Sequence, residues 1–278
     1  MVNLNGQLLP NAPESFALLQ RAAFFGDGLF ETIRAFEDKT PFWSLHWERL
    51  SLGLKALGFE VPTWWTSDYF EKEITKTSPG NARIRLTVWR SPGGFYLPTD
   101  DTPQYLVTTE PLQSDSFEWL GAGLEICLCE TVRLPVDSLS GIKILSGARY
   151  VAAAREARAK GMDDALVLNT HGRVCEATAS NIFWIKGDIV FVPPSFDGQI
   201  NGTLQKLLYT LLQEEGWRVR EKPTLVEDIL GADEVFLTNA IRGIRWVRKF
   251  EGTVYDCALS SQFNDLLVKH LAKKMAQK

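Results

Sequence analysis

From Asn81 to Arg90 the chain alternates. Arg83, Arg85, Thr87 and Trp89 fall on one face of an extended segment, and Ile84, Leu86, Val88 and Arg90 on the other. Arg90 thus ends an otherwise apolar face. Burying that charge alone costs roughly several kcal/mol, so the pattern demands an internal acid or a bound carboxylate beside it. A second alternating run, Phe24 to Phe36, starts with a tight turn at Gly26-Asp27-Gly28 and puts Phe30, Thr32, Arg34 and Phe36 on one face. Arg34 reads either as an edge arginine stacked on Phe30 or Phe36, or as an anion ligand. Asn3-Leu4-Asn5-Gly6 reads as a strand and turn.

Helical periodicity takes over from Phe42 to Gly58, where Leu50, Leu54 and Leu57 form the stripe and Gly58 the stop. A helix also reaches about Lys76. Gln104 to Thr109 reads as the last strand of a first domain, 1–110. Residues 111–120, with Pro111 and several small polar residues, read as a linker, and Leu124 to Glu130 opens a second domain, 121–278. There Gly202 to Glu215 carries Leu204, Leu207, Leu208, Leu211 and Leu212 on one stripe, with Asn201 as cap and Gly216 as stop. Gly202-Thr203-Leu204 would present free N–H groups to an anion. Val235 to Asn239 is a short strand ending in Thr238-Asn239-Ala240, and the tail from Ser260 is an amphipathic helix.

The stretch after Gly141 carries the chemistry. Lys143 lies between Ile142 and Ile144, a setting that penalises the ammonium and makes a neutral amine available as a nucleophile. Ser146 caps a helix, Gly147 to Lys160, that Gly161 ends. A hairpin follows: strand Ala165 to Asn169, a turn with Gly172 at its tight position, and a return strand Val174 to Ala177 that carries Glu176 to its end. Glu176 is either a solvated strand-end carboxylate or the partner of a buried base.

Composition narrows the classes. A net charge of −4 with no basic stripe argues against nucleic acid or an anionic membrane surface as partner and favours a small charged metabolite. The N-terminus has no signal-like apolar run, and no run reaches spanning length, so a cytoplasmic location is expected. Cys127, Cys129, Cys175 and Cys257 include no C-x-x-C, and reduced thiols are expected. His46, His171 and His270 are too scattered for a metal site.

Lysine, helix and a hairpin ending in E-x-x-x-S-N-I-F, together with His46-Trp47-Glu48-Arg49-Leu50, resemble the class IV aminotransferases of pyridoxal phosphate fold type IV, from Asn3 to Val247. The resemblance implies an α+β two-domain fold, with a smaller N-terminal α/β domain and a larger C-terminal pseudo-barrel, and a homodimer. It implies pyridoxal 5′-phosphate on Lys143 as a Schiff base, Glu176 at the pyridine nitrogen, and a phosphate held by Arg49, Thr203, Leu204, Asn239 and Ala240. Arg34 and Arg90 would take substrate carboxylates, which suits a dicarboxylic partner such as D-glutamate or 2-oxoglutarate in a D-amino acid transaminase. Two other family activities compete. Ala148 stands five beyond the lysine, where branched-chain transaminases carry tyrosine, and Tyr150 lies two further on. Arg90-Ser91-Pro92-Gly93-Gly94-Phe95-Tyr96 and the T-N-A loop are similar to aminodeoxychorismate lyases, while Phe95 and Leu97 stand near where D-amino acid transaminases carry R-x-H. The chain also reads G-T-L-Q where many relatives read G-I-T-R, which affects a phosphate hydroxyl. Outside this family, an anion-binding protein without chemistry would need the same arginines.

Overall fold

A computed structural model of the chain describes residues 2–4, 7–9, 14–77 and 80–276. Strands β1 (Val2–Leu4) and β2 (Gln7–Leu9) pair antiparallel; the turn expected at Asn5-Gly6 lies outside the described residues. Helix α1 (Glu14–Phe25), which the sequence pattern did not suggest, delivers the chain to β3 (Gly28–Ala35). Helices α2 (Trp43–Ala56) and α3 (Ser67–Thr75) follow, then β4 (Ala82–Arg90) and β5 (Pro103–Pro111). The three strands form an antiparallel sheet in the order β3-β4-β5. Ile84, Leu86 and Val88, the apolar face read from the alternation, pack with Leu29 and Ile33 of β3, Leu50 and Leu54 of α2, and Phe70 and Ile74 of α3. Burying each such side chain is worth about 1.5–3 kcal/mol, enough for this layer to set the angle between sheet and helices.

The remaining elements build a larger sheet. In chain order they are β6 (Leu124–Leu128), α4 (Ala148–Ala159), β7 (Asp164–Leu168), β8 (Val174–Ala177), β9 (Asn181–Lys186), β10 (Ile189–Val192), α5 (Thr203–Glu214), β11 (Arg218–Glu221), α6 (Val226–Leu230), β12 (Glu234–Asn239), β13 (Gly243–Phe250), β14 (Thr253–Val254) and α7 (Ala258–Ala276). Neighbouring strands run β9-β12-β13-β6-β7-β8, and β8 pairs back onto β9 through Glu176 and Asn181, closing a barrel-like ring. β10 and β11 extend from β9 outside it. Alternation sorts the ring's faces. Phe183, Ile185 and Phe236 point to a core with Leu204, Leu208 and Leu212 of α5 and Phe263 and Leu267 of α7. Ile182, Trp184, Val235 and Leu237 point to the opposite core with Leu166 and Val247. Helix α4 lays Ala153 and Ala157 on Cys127, Ala165 and Val167. All four cysteines are free thiols.

Two expected caps are displaced by one residue. Gly147 precedes α4 and Gly202 precedes α5, neither with a side-chain cap, in place of Ser146 and Asn201. Among the described residues no helix is long and apolar enough to cross a membrane, and no cluster of His, Cys, Asp and Glu could hold a metal.

Candidate active site

Lys143 owes its place to the first sheet. Phe30 donates its backbone N–H to the Lys143 carbonyl at 3.0 Å, Leu145 donates to Gly28 at 2.9 Å, and Leu29 bridges Ile144. The lysine segment thus runs as a short antiparallel partner to the start of β3. Only glycine fits at position 28, where a Cβ would come within 2.2 Å of the Val88 carbonyl oxygen. This register brings Lys143 Nζ over the Phe30 ring, 4.5 Å from its centroid. Burial pushes the ammonium's pKa down and Arg49 pushes further, against the pull of Glu31 and Glu176.

Glu176 is not the solvated strand-end acid that its position permits. It is 3% exposed. Its Oε1 accepts the Tyr150 hydroxyl at 2.7 Å and the Ile200 N–H at 3.1 Å, and its Oε2 accepts Asn181 Nδ2 at 3.3 Å. Burial drives its pKa up, while these donors, Lys143 and Arg49 resist the rise. Lys143 and Glu176 lie within reach of each other's charge, and Arg49 acts on both.

Arg49, from α2, spans the junction of the two sheets. Its Nε donates to Glu31 Oε1 at 2.8 Å, its Nη2 to Oε2 at 2.5 Å, and its Nη1 to the Asn201 carbonyl at 2.8 Å. Neutral His46, one turn earlier on α2, donates from Nδ1 to Glu31 Oε2 at 2.7 Å. Burial alone would raise the Glu31 carboxyl, but Arg49 and His46 bring it down to about 2. Burial likewise depresses His46, keeping the ring neutral. Glu31 escaped the sequence reading, although its position on the apolar face with Leu29 and Ile33 was a usable signal.

Beyond Asn201, a Cβ on Gly202 would meet Asn181 Oδ1 at 1.8 Å, so glycine is required where α5 begins. The first-turn N–H groups of Thr203 and Leu204 have no intrahelical acceptor. Thr203, Leu204, Ala240, Arg34 and His46 line one small cavity. Asn239 is committed to its own loop: Oδ1 accepts the Ile241 and Arg242 N–H groups at 3.1 and 2.8 Å, and Nδ2 donates to Ser180 Oγ at 2.9 Å. Thr238 Oγ1 and Arg34 Nε are buried there without a protein partner. Arg49, which reaches the Asn201 carbonyl, and the two helix-start amides lie at this end, and with the lysine and glutamate they make a set that suits pyridoxal phosphate.

The two expected substrate arginines are engaged elsewhere. Arg90 donates to Asp27 at 3.1 Å, to Asp101, and to the carbonyls of Leu57 and Gly58, with its guanidinium over Phe59. An internal acid is one of the two partners that the alternating pattern required, and in this structure Arg90's donors go to protein acceptors. Arg34 donates to the carbonyls of Ile241, Ser114 and Ser116 and lies over Phe36 and Phe117. It fastens the T-N-A loop to the segment after β5. Arg85 lies nearer the lysine. It stands 3.8 Å over Phe30, the ring that Lys143 covers, its charge acts on Lys143, and it donates to Thr87 Oγ1 at 3.3 Å. The face shared by Arg83, Arg85, Thr87 and Trp89 was legible; which way it turned was not.

A family model described as amino-transferase class IV matches residues 28–250. The chain is 28% identical to a putative branched-chain-amino-acid aminotransferase of Methanocaldococcus jannaschii, covering 100% of this chain and 94% of that protein. It is 29% identical to an aminodeoxychorismate lyase of Vibrio harveyi over 81% of this chain and 83% of that one. The solved structure of a putative 4-amino-4-deoxychorismate lyase from Legionella pneumophila superposes with a TM-score of 0.81 at 26% identity, covering 96% and 97% of the two chains.

Proposed function

Because the chain belongs to the class IV aminotransferase family, whose fold is type IV and whose cofactor is pyridoxal 5′-phosphate, we propose that it moves an amino group between an amino acid and a 2-oxo acid at Lys143. The electrostatic reach of half-buried Lys143 and Arg49 to buried Glu176 carries the reading. When bound, the cofactor supplies an aldehyde for the lysine and an electron-withdrawing ring. Arg49, the N–H groups of Thr203 and Leu204, and the loop at Asn239 and Ala240 hold the phosphate, with Asn239 shaping the loop and Ala240 lining the cavity. Glu176 holds the proton on the ring nitrogen. Lys143 Nζ, its affinity for protons lowered by burial, carries the proton between the substrate Cα and the cofactor C4′. Arg85 receives the substrate carboxylate.

D-glutamate and 2-oxoglutarate as the substrate pair drew on Arg34 and Arg90 as twin carboxylate ligands. With both committed to protein acceptors, Arg85 alone supports that choice, and substrate handedness rests on experiment. A second reading, elimination of pyruvate from aminodeoxychorismate, draws on the similarity to the two lyases and on the Arg90-to-Tyr96 segment. The protein works as a homodimer in either reading, supported by the run Phe95-Tyr96-Leu97, each side chain at least 84% exposed. The test is a panel of D- and L-amino acids with 2-oxoglutarate, beside an aminodeoxychorismate assay. Amino transfer that vanishes in Lys143→Ala, with an unchanged melting temperature, is the expected result. Pyruvate and 4-aminobenzoate without transfer would select the lyase, and protein that takes up no pyridoxal phosphate would end both readings.

A further inference from the structure

Tyr150 belongs to α4, 26 residues before the glutamate that it touches. It lines a cavity of about 220 Å³ behind the lysine segment, together with Ile142, Ile144, Arg149 and Ile200. Tyr150 and Ile200 form the wall between that cavity and the Glu176 carboxylate, and both hydrogen bonds end on the same oxygen. A carboxylate oxygen accepts about two hydrogen bonds comfortably, so Oε1 is filled. Oε2 has only the 3.3 Å contact from Asn181, whose amide is shared with the Ile200 carbonyl at 2.8 Å and Gln199 at 3.4 Å. The carboxylate is therefore asymmetric: one oxygen is saturated from the α4 side and the other keeps a lone pair.

We propose that Tyr150 is the positioning residue for Glu176, its phenol turning the carboxylate so that Oε2 alone is left for the cofactor's ring nitrogen and keeping the acid ionised. The second half rests on the role proposed above for Glu176; the first concerns the protein alone. The groups that act on this carboxylate are Lys143 beside it, Arg49 from α2, Tyr150 from α4, the Ile200 N–H, Asn181 and the neighbouring Cys175 thiol. Of its three hydrogen-bond donors, Tyr150 makes the shortest bond, at 2.7 Å against 3.1 Å for Ile200 and 3.3 Å for Asn181. A donor to an anion favours the ionised form. Without it the acid becomes a stronger base and draws the proton off the ring nitrogen, so the ring withdraws electrons less well.

Tyr150→Phe keeps the ring and removes only the hydroxyl. In cofactor-free protein labelled with carbon-13 at glutamate carboxyls, with Glu176→Gln to assign the signal, the Glu176 titration midpoint should rise by about one unit or more while the melting temperature moves little. In protein loaded with pyridoxal phosphate, the same variant should shift the pH midpoint of the cofactor's visible absorbance and lower kcat while KM stays near the wild-type value. An unchanged carboxyl midpoint would overturn the proposal. A shifted midpoint with an unchanged cofactor spectrum would overturn its second half. Wild-type protein that binds no pyridoxal phosphate would overturn the role of Glu176 itself, leaving the carboxyl titration to decide the contact with Tyr150.

Discussion

Two arginines on β4 divide the work of charge by where their guanidiniums end. Arg90 is 5% exposed and its charge is met by Asp27 and Asp101. Replacing it with leucine leaves Asp27 to Arg21 alone, frees the half-exposed Asp101 and unpairs the Leu57 and Gly58 carbonyls, and urea unfolding should show a loss of about 2 kcal/mol, with catalysis per folded molecule unchanged. Arg85, half-buried above Phe30, meets no acid in the salt bridges found among the described residues. Arg85→Leu should leave the melting temperature within a few degrees and raise KM for the substrate acid by roughly tenfold to a hundredfold, the worth of one charge-assisted hydrogen bond. Sequence could not separate these two residues. Both lie on an alternating strand, but Asp27 and Asp101 are 63 and 11 residues from Arg90 along the chain, and the side on which Arg85 lies depends on a bridge between β3 and the lysine segment. Arg49 was named through its H-x-x-R-L setting; nothing local announced that Glu31 would share it.

At the scale of elements, Glu31 ties β3 to α2 and, through Arg49, to the residue before the α5 cap. Its carboxyl falls from 4.5 to about 2 on folding. A group held below its unfolded value stabilises the fold above that value and stops doing so as pH falls towards the folded one. Stability should therefore be whole above pH 4.5 and lost progressively towards pH 2, by roughly 3 kcal/mol for this group. His46, also depressed, works in the same sense at higher pH, since acid charges a ring that the fold keeps neutral. Glu31→Gln should flatten the acid limb in a pH series of denaturant melts. Gly202→Ala tests the other end of the tie. The new methyl displaces Asn181 from a 1.8 Å clash, and affinity for pyridoxal phosphate, followed by tryptophan fluorescence, should fall about tenfold or more. Helices α4 and α5 were legible from periodicity and from the glycines that end them, Gly161 and Gly216, both with positive φ. Their starts were not, because serine and asparagine favour caps by composition, whereas here a glycine sits at the cap and frees the Asn201 carbonyl for Arg49.

In the whole molecule two larger sheets, beside the short β1–β2 pair, flank the candidate site, and α1 reaches from the edge of one of them to the outside. Arg21 of α1 donates to Asp27 at 2.7 Å and to the carbonyls of Gly93 and Phe95 at 2.8 Å, holding out the loop that carries the exposed aromatic run. Replacing Phe95, Tyr96 and Leu97 with serine should weaken self-association by roughly a thousandfold, read by sedimentation velocity across a dilution series. The pattern of alternation and stripes was enough to anticipate both sheets. The closure of the larger one was expected only through the resemblance, which implied a pseudo-barrel; the alternation could not show it, because a single pair of residues, Glu176 and Asn181, completes it. That economy has a consequence. The residue whose backbone clasps the cylinder also carries the acid proposed to steady the ring, so any breath that parts β8 from β9 would also displace that carboxylate. Loss of yellow colour on gentle warming should therefore keep step with deuterium uptake at that seam, ahead of the collapse of either core.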